Sequence, residues 1–419
     1  MQAIIKPGFL KGDISVPASK SIMQRVCAAA LLHNGETIIN NPGSSEDDKV
    51  ALQIIQQLGA KITKQTSEQI IIESSGRVNA IKDINCNESG LSARLFTPIA
   101  ALCGDEVLIE GKGSLLQRPM DAFKEVLPQL NVSLKAFNGF IPFSVKGPLQ
   151  GKSITVDGSI SSQFLTGVLF ALTSVAKEPI VVTVKGLKSK PYIDLTLKVL
   201  AQFGRQITNE NYCRFIIDPA QFTIKDEVTI QIEADWSSAA YWLVGAAING
   251  SIRALHLDQH SLQADKKIIE ILERAGCVIQ FERDMVCVKK ADLRAFNADL
   301  TDAPDLFPIV AILAACCTGT SRLQGLHRLK YKESDRKKSI ADMLAGFGVS
   351  VSIENDSLLI EGRQQLNPAT INGYNDHRIV MAAAIGALLA NGETSIAGKE
   401  AVGKSYPLFF QHLSLLHRP

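Results

Sequence analysis

The chain has 419 residues, 46% hydrophobic and 21% charged, which is the balance of a globular protein with ample core and room for two or three domains. Its 44 basic and 42 acidic residues leave a formal charge of +2, which excludes a general nucleic-acid binder and makes any basic site a local one. The 8 cysteines contain no C-x-x-C pair, and Cys27, Cys103, Cys316 and Cys317 fall in apolar helical runs, so a reduced cytoplasmic protein without disulfides or structural zinc is expected.

The opening MQAIIKPGFLKGD is too short and broken to read as a signal peptide. From Ser21 the chain predicts an alanine-rich, apolar helix that ends near Gly35 and runs into a strand. That pattern returns along the chain, in AALLHNGETIINNP, AALCGDEVLIEGKG, ALTSVAKEPIVVTVKG, GAAINGSIRALHL, AACCTGTSRLQGL and ALLANGETSIAGK. The turn residues Gly35, Gly104, Lys177, Gly250, Gly319 and Gly392 are spaced by 69, 73, 73, 69 and 73 positions. A fixed period of this kind dictates the architecture.

After each strand comes an amphipathic helix with a glycine-like stop and a further strand, as in DDKVALQIIQQLGAKI, MDAFKEVLPQLNVSL, YIDLTLKVLAQFGRQI, ADKKIIEILERAGCVI and KKSIADMLAGFGVSV. The first helix of each unit is apolar nearly all round and must be buried. The prediction is an α/β chain of six units, each about βαβαβ(β), with one buried and one outer helix. Two domains of three units suit this length, with a return point near Ile232–Ala234 and a boundary near Pro17–Ala18. The expected division is 1–18 plus 234–419 against 19–233. The most apolar run, Ile379 to Ala390, falls short of a membrane span.

The six buried helices begin at ASKSIMQR, NESGLSAR, GSISSQF, ADWSSAA, APDLFP and YNDHRIV, mostly with Ser, Asp or Asn in capping positions. In the second, Glu88 and Ser89 are the cap candidates. Cations sit where the helix dipole disfavours them: Lys20 and Arg25, then Arg94, then Arg378. Ser21 and Arg25, four apart, share a face. The outer helices are preceded by Arg118, by Ser189 and Lys190, by Lys332, Glu333 and Arg336, and by Lys404. Helix N-termini bind anions, and cations there add to such a site. Local rules broken together at repeated positions mark function. Lys20, Arg25, Arg118, Arg336, Arg378 and Lys404 jointly predict a ligand set with several negative charges.

Three patterns carry less. Gly398 to Ser405, GKEAVGKS, fits the P-loop spacing, but only 14 residues follow and Pro407 interrupts the expected helix. His256 and His260 fall where the repeat predicts a strand leading into a loop, which favours a solvated pair over a metal site. GKGS at Gly111 is too short for a dinucleotide fingerprint.

PASKSIMQR, SSQFLTG, SKPYIDLTL, KESDR, NDHR and GKSYPLFF, in this order from the first twenty residues to the last fifteen, resemble the enolpyruvyl transferases, above all the branch that acts on shikimate 3-phosphate. The resemblance implies transfer of the enolpyruvyl group of phosphoenolpyruvate to the 5-hydroxyl of shikimate 3-phosphate, with release of phosphate. It implies the inside-out α/β fold of the family: two domains, each of three βαβαββ units with buried parallel helices, and an active site in the cleft between them. It implies no metal and no organic cofactor, and a cytoplasmic monomer that binds neither nucleic acid nor membrane.

Carried over by motif, Lys20 bridges both substrates, and Ser21 and Arg25 bind shikimate 3-phosphate. Ser161 and Ser162 hold its phosphate, Ser189 assists, and Gln163 lies between the ligands. Gly90, Arg118, Arg336, Arg378 and Lys404 hold phosphoenolpyruvate. Asp305 matches the family's base, and Lys332 and Glu333 its other catalytic pair. Asp305 and Lys332 also touch shikimate 3-phosphate. Asp47, Asp235 and His377 are expected in hinge or supporting roles. Read without the motifs, Asp305, Ser161 and Ser162 could equally be helix caps, and Glu333 a partner of Lys337.

Two departures stand out. The family's Pro-Gly-Ser-Lys-Ser reads Pro-Ala-Ser-Lys-Ser, with Ala18, and its Asn-Ala-Gly-Thr reads Glu88-Ser89-Gly90-Leu91. Arg328 replaces a substrate-binding Asn. Two other functions compete: the sister transferase acting on UDP-N-acetylglucosamine, and a non-catalytic binder of anionic metabolites. The sister enzyme carries Lys-Asn at the first helix and a reactive Cys before the Arg-Pro, whereas this chain has Lys20-Ser21 and the cysteine-free GKGSLLQRP.

Overall fold

A computed structural model describes residues 1–363 and 365–419. The chain divides into two compact units, Ala18–Ile232 and a discontinuous one made of Met1–Pro17 with Glu233–Pro419.

In the unit Ala18–Ile232 three inner helices, Lys20–Leu32, Gly90–Ala100 and Ser162–Val175, pack on one another. Every residue of Gly90–Ala100 is buried, which explains why its sequence has no polar face. Each inner helix is flanked by a four-stranded sheet. In the third repeat Ile154–Asp157 runs parallel to Ile180–Lys185, and the inner helix is the crossover that a parallel pair requires. Ile180–Lys185 then pairs antiparallel with Arg214–Ile217, itself paired antiparallel with Ile207–Glu210. The second repeat copies this with Asp83–Asn85, Glu106–Glu110, Phe143–Lys146 and Ser133–Lys135. The first repeat has no strand of its own before its helix. Glu227–Gln231, from the far end of the unit, fills that place parallel to Asn34–Asn40.

The other unit repeats the plan around the inner helices Trp236–Asn249, Phe307–Ala315 and His377–Gly386, again in mutual contact. Asn297–Asp299, Thr320–Gln324, Ser357–Glu361 and Val351–Glu354 form one complete repeat. Phe9–Ser15 runs parallel to Gly250–Leu255 and supplies the first strand of another. In the last repeat Thr370–Asn372 runs parallel to Thr394–Ala397, and the N-terminal strand Gln2–Ile5 pairs antiparallel with the latter. Distant segments therefore close both sets of three.

Five outer helices turn into their next strand through a left-handed residue: Gly59, Asn131, Gly204, Gly276 and Gly348. A helix ending in this way needs a residue without β-carbon strain, hence Gly or Asn. Four inner helices, Gly90–Ala100, Ser162–Val175, Phe307–Ala315 and His377–Gly386, cross between parallel strands of one sheet, and every inner helix starts at the same recurring position of its repeat. That is where the charged residues gather.

Candidate active site

In the unit Ala18–Ile232 the first inner helix carries Lys20 and Arg25. Ser19 occupies its N-cap position without a side-chain capping bond. Lys20 Nζ donates to Asp47 Oδ2 at 2.9 Å, and Asp47 stands in the first turn of the outer helix Glu46–Gln57, where the dipole favours an acid. The misplaced cation is thus balanced by a correctly placed anion of the next helix. Arg25 is buried and, among the described residues, bonds neutral oxygens only: Thr196 Oγ1 at 3.0 Å, the Ser21 carbonyl at 2.6 Å and the Tyr192 carbonyl at 3.2 Å. Burial pulls its guanidinium down to about 10, against the pull of Tyr192. Thr166 supports the arrangement from behind, 3.0 Å from Thr196.

Gly90 opens the second inner helix, capped by Ser89. A β-carbon at Gly90 would lie 2.6 Å from Arg118 Nη1 and 3.1 Å from Arg94 Nη1. Two guanidinium groups therefore crowd a helix start that has no side chain. Arg94 donates to Gln163 Oε1 at 2.9 Å and to the Pro119 carbonyl at 3.1 Å. Arg118 donates to Ser114 Oγ at 3.1 Å, and Glu88 accepts from the Ser114 amide and hydroxyl. Glu88 thus anchors a loop, while Ser89 does the capping. Ser161 caps the third inner helix through the Gln163 amide at 3.3 Å, and Ser162 is its buried first residue. Ser189 precedes the outer helix Lys190–Gln202 in the left-handed region, φ 55°, and does not cap it. A non-glycine residue held there stores strain of roughly 1–3 kcal/mol, a feature that concentrates at functional sites.

The other unit gathers its charges around Asp305, which lies in the 3₁₀ turn Pro304–Leu306 ahead of the inner helix Phe307–Ala315 and does not cap it. Asp305 Oδ1 accepts from Arg336 Nη1 at 2.7 Å and Lys332 Nζ at 3.2 Å, and Oδ2 accepts from Arg378 Nη2 at 3.0 Å. Burial alone would raise this carboxyl, but Arg378, Lys332 and Arg336 outweigh it and hold it well below the usual carboxylate range. Burial lowers the Lys332 ammonium, partly offset by Asp305. Glu333 Oε2 accepts from Arg336 Nη2 at 2.6 Å, three residues on, which draws Glu333 into the charged cluster.

Arg336 has no solvent exposure and is clamped from behind by Asp376. Asp376 also caps the inner helix His377–Gly386 through the Arg378 amide and accepts from Ser334. Lys404 Nζ donates to the Asn375 carbonyl at 2.7 Å. His377 is the buried first residue of that helix, and Asp235 caps Trp236–Asn249. Arg328 sits in the 3₁₀ turn Leu326–Arg328.

The family model of EPSP synthase (3-phosphoshikimate 1-carboxyvinyltransferase) matches residues 4–413. The chain belongs to the EPSP synthase family. It is 34% identical over 416 residues to the 3-phosphoshikimate 1-carboxyvinyltransferase of Clostridium novyi, covering 97% of this chain and 95% of the relative. The enzyme of that name from Methanocorpusculum labreanum is 32% identical over 421 residues, covering 99% and 98%. The solved EPSP synthase of Acinetobacter baumannii superposes with a TM-score of 0.83 at 26% identity, over 99% of this chain and 98% of that one. The enolpyruvyl transferase NikO of Streptomyces tendae shares the fold at 16% identity, with a TM-score of 0.77 over 99% of both chains.

Membership of the EPSP synthase family and the geometry together dispose of the weaker patterns. Gly398–Ser405 is no phosphate loop opening a helix, since Lys399–Lys404 is itself a 3₁₀ turn. His256 follows the strand Gly250–Leu255 and faces the carboxylate of Asp284 at 2.9 Å on an exposed surface. The segment Gly113–Gln117 forms a 3₁₀ turn before Arg118 and holds no cysteine, while Cys103 is buried. No helix among the described residues is long and apolar enough to cross a membrane.

Sequence reasoning left three residues without a role: Arg94, Asp376 and Asp265. Arg94 had a signal, its place in the first turns of an inner helix. Asp376 lies inside the NDHR motif, yet its pairing with Arg336 spans forty positions. Asp265 has no local signal at all.

Proposed function

We propose that this chain transfers the enolpyruvyl group of phosphoenolpyruvate to the 5-hydroxyl of shikimate 3-phosphate, and that the two charged clusters serve this one reaction. The observation that carries the reading is Asp305, a carboxylate held by three cations, Lys332 and Arg336 of one segment and Arg378 of another. A site built only to bind anions would gain nothing from a carboxylate at its centre. A base that must wait for its substrate gains from it. Anionic groups of phosphoenolpyruvate arriving on Arg336 and Arg378 offset the charge that suppresses Asp305. Its carboxyl then rises toward a range where it takes the proton of the attacking hydroxyl.

The hydroxyl oxygen bonds to C2 of phosphoenolpyruvate while the C3 methylene gains a proton, which gives a tetrahedral intermediate. Loss of a methyl proton and cleavage of the C2–O bond then release phosphate and restore the double bond. Lys332 and Glu333 deliver and recover the C3 proton; burial of Lys332, which lowers its hold on a proton, suits that task. Arg25, buried among neutral oxygens, is assigned with Ser21, Ser161, Ser162 and Ser189 to shikimate 3-phosphate. A buried cation without an acidic partner is costly until an anion arrives. Lys20 and Gln163 serve both substrates, and Gly90, Arg118, Arg336, Arg378 and Lys404 serve phosphoenolpyruvate. Fixed cations around the departing phosphate stabilise charge without reorganising. A cytoplasmic monomer belongs to the same reading, and the eight cysteines present as free thiols support that compartment.

The test is phosphate release from phosphoenolpyruvate with shikimate 3-phosphate, run beside the same assay with UDP-N-acetylglucosamine. Turnover is expected only with shikimate 3-phosphate. Turnover with the sugar nucleotide alone, or with neither acceptor, sinks the assignment.

A further inference from the structure

We propose that Asp265 is a positioning residue: through the hydroxyl of Ser237 it holds Arg378, and with it Asp305, in place for phosphoenolpyruvate. The inference rests on the functional reading above. Asp265 lies in the 3₁₀ turn Ala264–Lys267 and is 2% exposed. Its Oδ2 accepts the Ser237 hydroxyl, and its Oδ1 is buried with no hydrogen-bond partner among the described residues. Ser237 Oγ lies 3.4 Å from Arg378 Nη2, the same nitrogen that donates to Asp305 Oδ2 at 3.0 Å. Asp265, Ser237, Arg378 and Asp305 thus form one chain of contacts from the floor of the site to its base.

Among the described residues the Asp265 side chain accepts one hydrogen bond, from Ser237. It caps no helix, and Asn would fill the same space with a neutral group. Burying a carboxylate with one oxygen unsatisfied is expensive. A local rule broken at such a cost points to function. The chemistry explains what is gained. An ionised carboxylate only accepts, so the Ser237 proton must point at Asp265. The lone pairs of Ser237 are then left for Arg378, which has donors and no acceptor. Once protonated, Asp265 can itself donate, and the orientation of the Ser237 hydroxyl is no longer dictated.

Arg378, Asp305 and Asp235 act on Asp265 through their charges. Burial pushes its carboxyl up to about 6, Arg378 pulls it down, and Asp305 and Asp235 add to the rise. The relay therefore works above that pH and fails below it.

The experiment is a steady-state pH profile of the wild-type protein, Asp265→Asn and Ser237→Ala with shikimate 3-phosphate and phosphoenolpyruvate. Wild type should show an acid limb in kcat/KM near 6. Asp265→Asn should lose that limb, because Asn does not titrate. KM for phosphoenolpyruvate should rise about tenfold in both variants, the equivalent of one charge-assisted hydrogen bond, with kcat changed less. An unchanged KM and an unchanged acid limb in Asp265→Asn, even with a lowered melting temperature, would reduce Asp265 to a structural residue and overturn the inference. If Asp265→Asn does not fold, Ser237→Ala decides, and a wild-type KM in that variant overturns the relay. Wild-type protein that releases no phosphate sinks the functional reading, which separates that failure from a failure of the relay alone.

Discussion

Arg336 and Asp376 form an ion pair of 2.8 Å in which neither side chain has any solvent exposure. The carboxylate also caps the helix His377–Gly386, so one residue fixes both a guanidinium and a helix start. Removing Asp376 breaks a fully buried pair and a helix cap and leaves the Arg336 guanidinium to Asp305 and Glu333, which costs about 3 kcal/mol. Asp376→Ala should lose that much in urea unfolding, and Asp376→Asn less, since its amide oxygen can still cap. A loss under about 1 kcal/mol for Asp376→Ala would mean that the pair is not formed as described.

Asp305 sits among three cations. Asp305→Ala removes the base and takes one shared carboxylate away from those cations. Turnover should fall by roughly 10²–10⁴ while binding of phosphoenolpyruvate holds or tightens. Calorimetric titration beside the phosphate-release assay separates the two effects. Near-normal turnover would strip Asp305 of its catalytic role.

Gly90 has two guanidinium groups where a side chain would go. Gly90→Ala should displace Arg118 first, because Arg118 lies nearest at 2.6 Å from the added carbon. The expected result is a rise of roughly ten- to a hundredfold in KM for phosphoenolpyruvate with the fold intact. An unaltered KM would place Arg118 outside the binding site.

Asp48 is buried behind Lys20 in a capping box with Ser45. Burial raises its carboxyl to about 7, even though Ser45 and Lys20 pull it down. The folded state therefore binds this proton more tightly than the unfolded chain, whose carboxyl titrates near 4. The sign follows: the group's contribution is most favourable below pH 4 and is lost as pH rises to about 7. The loss amounts to as much as ~4 kcal/mol. Asp48→Asn should flatten the fall in stability between pH 4 and 7, measured by urea unfolding. A slope equal to that of wild type would show that Asp48 does not titrate in this range.

The six repeats were legible because their signals are local. An all-round apolar helix can only be buried, and a left-handed stop after an amphipathic helix demands Gly or Asn. The clustering of Lys20, Arg25, Arg94 and Arg378 at helix starts followed from the same period. Which strand completes a sheet was not legible in that way. Nothing local in Glu227–Gln231 says that it pairs with Asn34–Asn40, or in Gln2–Ile5 that it pairs with Thr394–Ala397.

The partners of the charges were hidden for the same reason. From Lys20 alone the helix start looked mischarged; Asp47, twenty-seven positions on, balances it only after the outer helix folds back. Local pattern left Asp305 open to a helix cap as well as a base; it meets three cations instead of capping, because Lys332, Arg336 and Arg378 arrive from segments that no local pattern links to it. By itself the sequence determined the six-fold α/β repeat, the burial of its inner helices and the concentration of cations at their starts, since periodicity and capping act within a few residues. The tertiary structure alone decided which distant strands close each set of three repeats. It alone also decided which carboxylates meet which cations, because charge pairing depends on distance in space and is blind to distance along the chain.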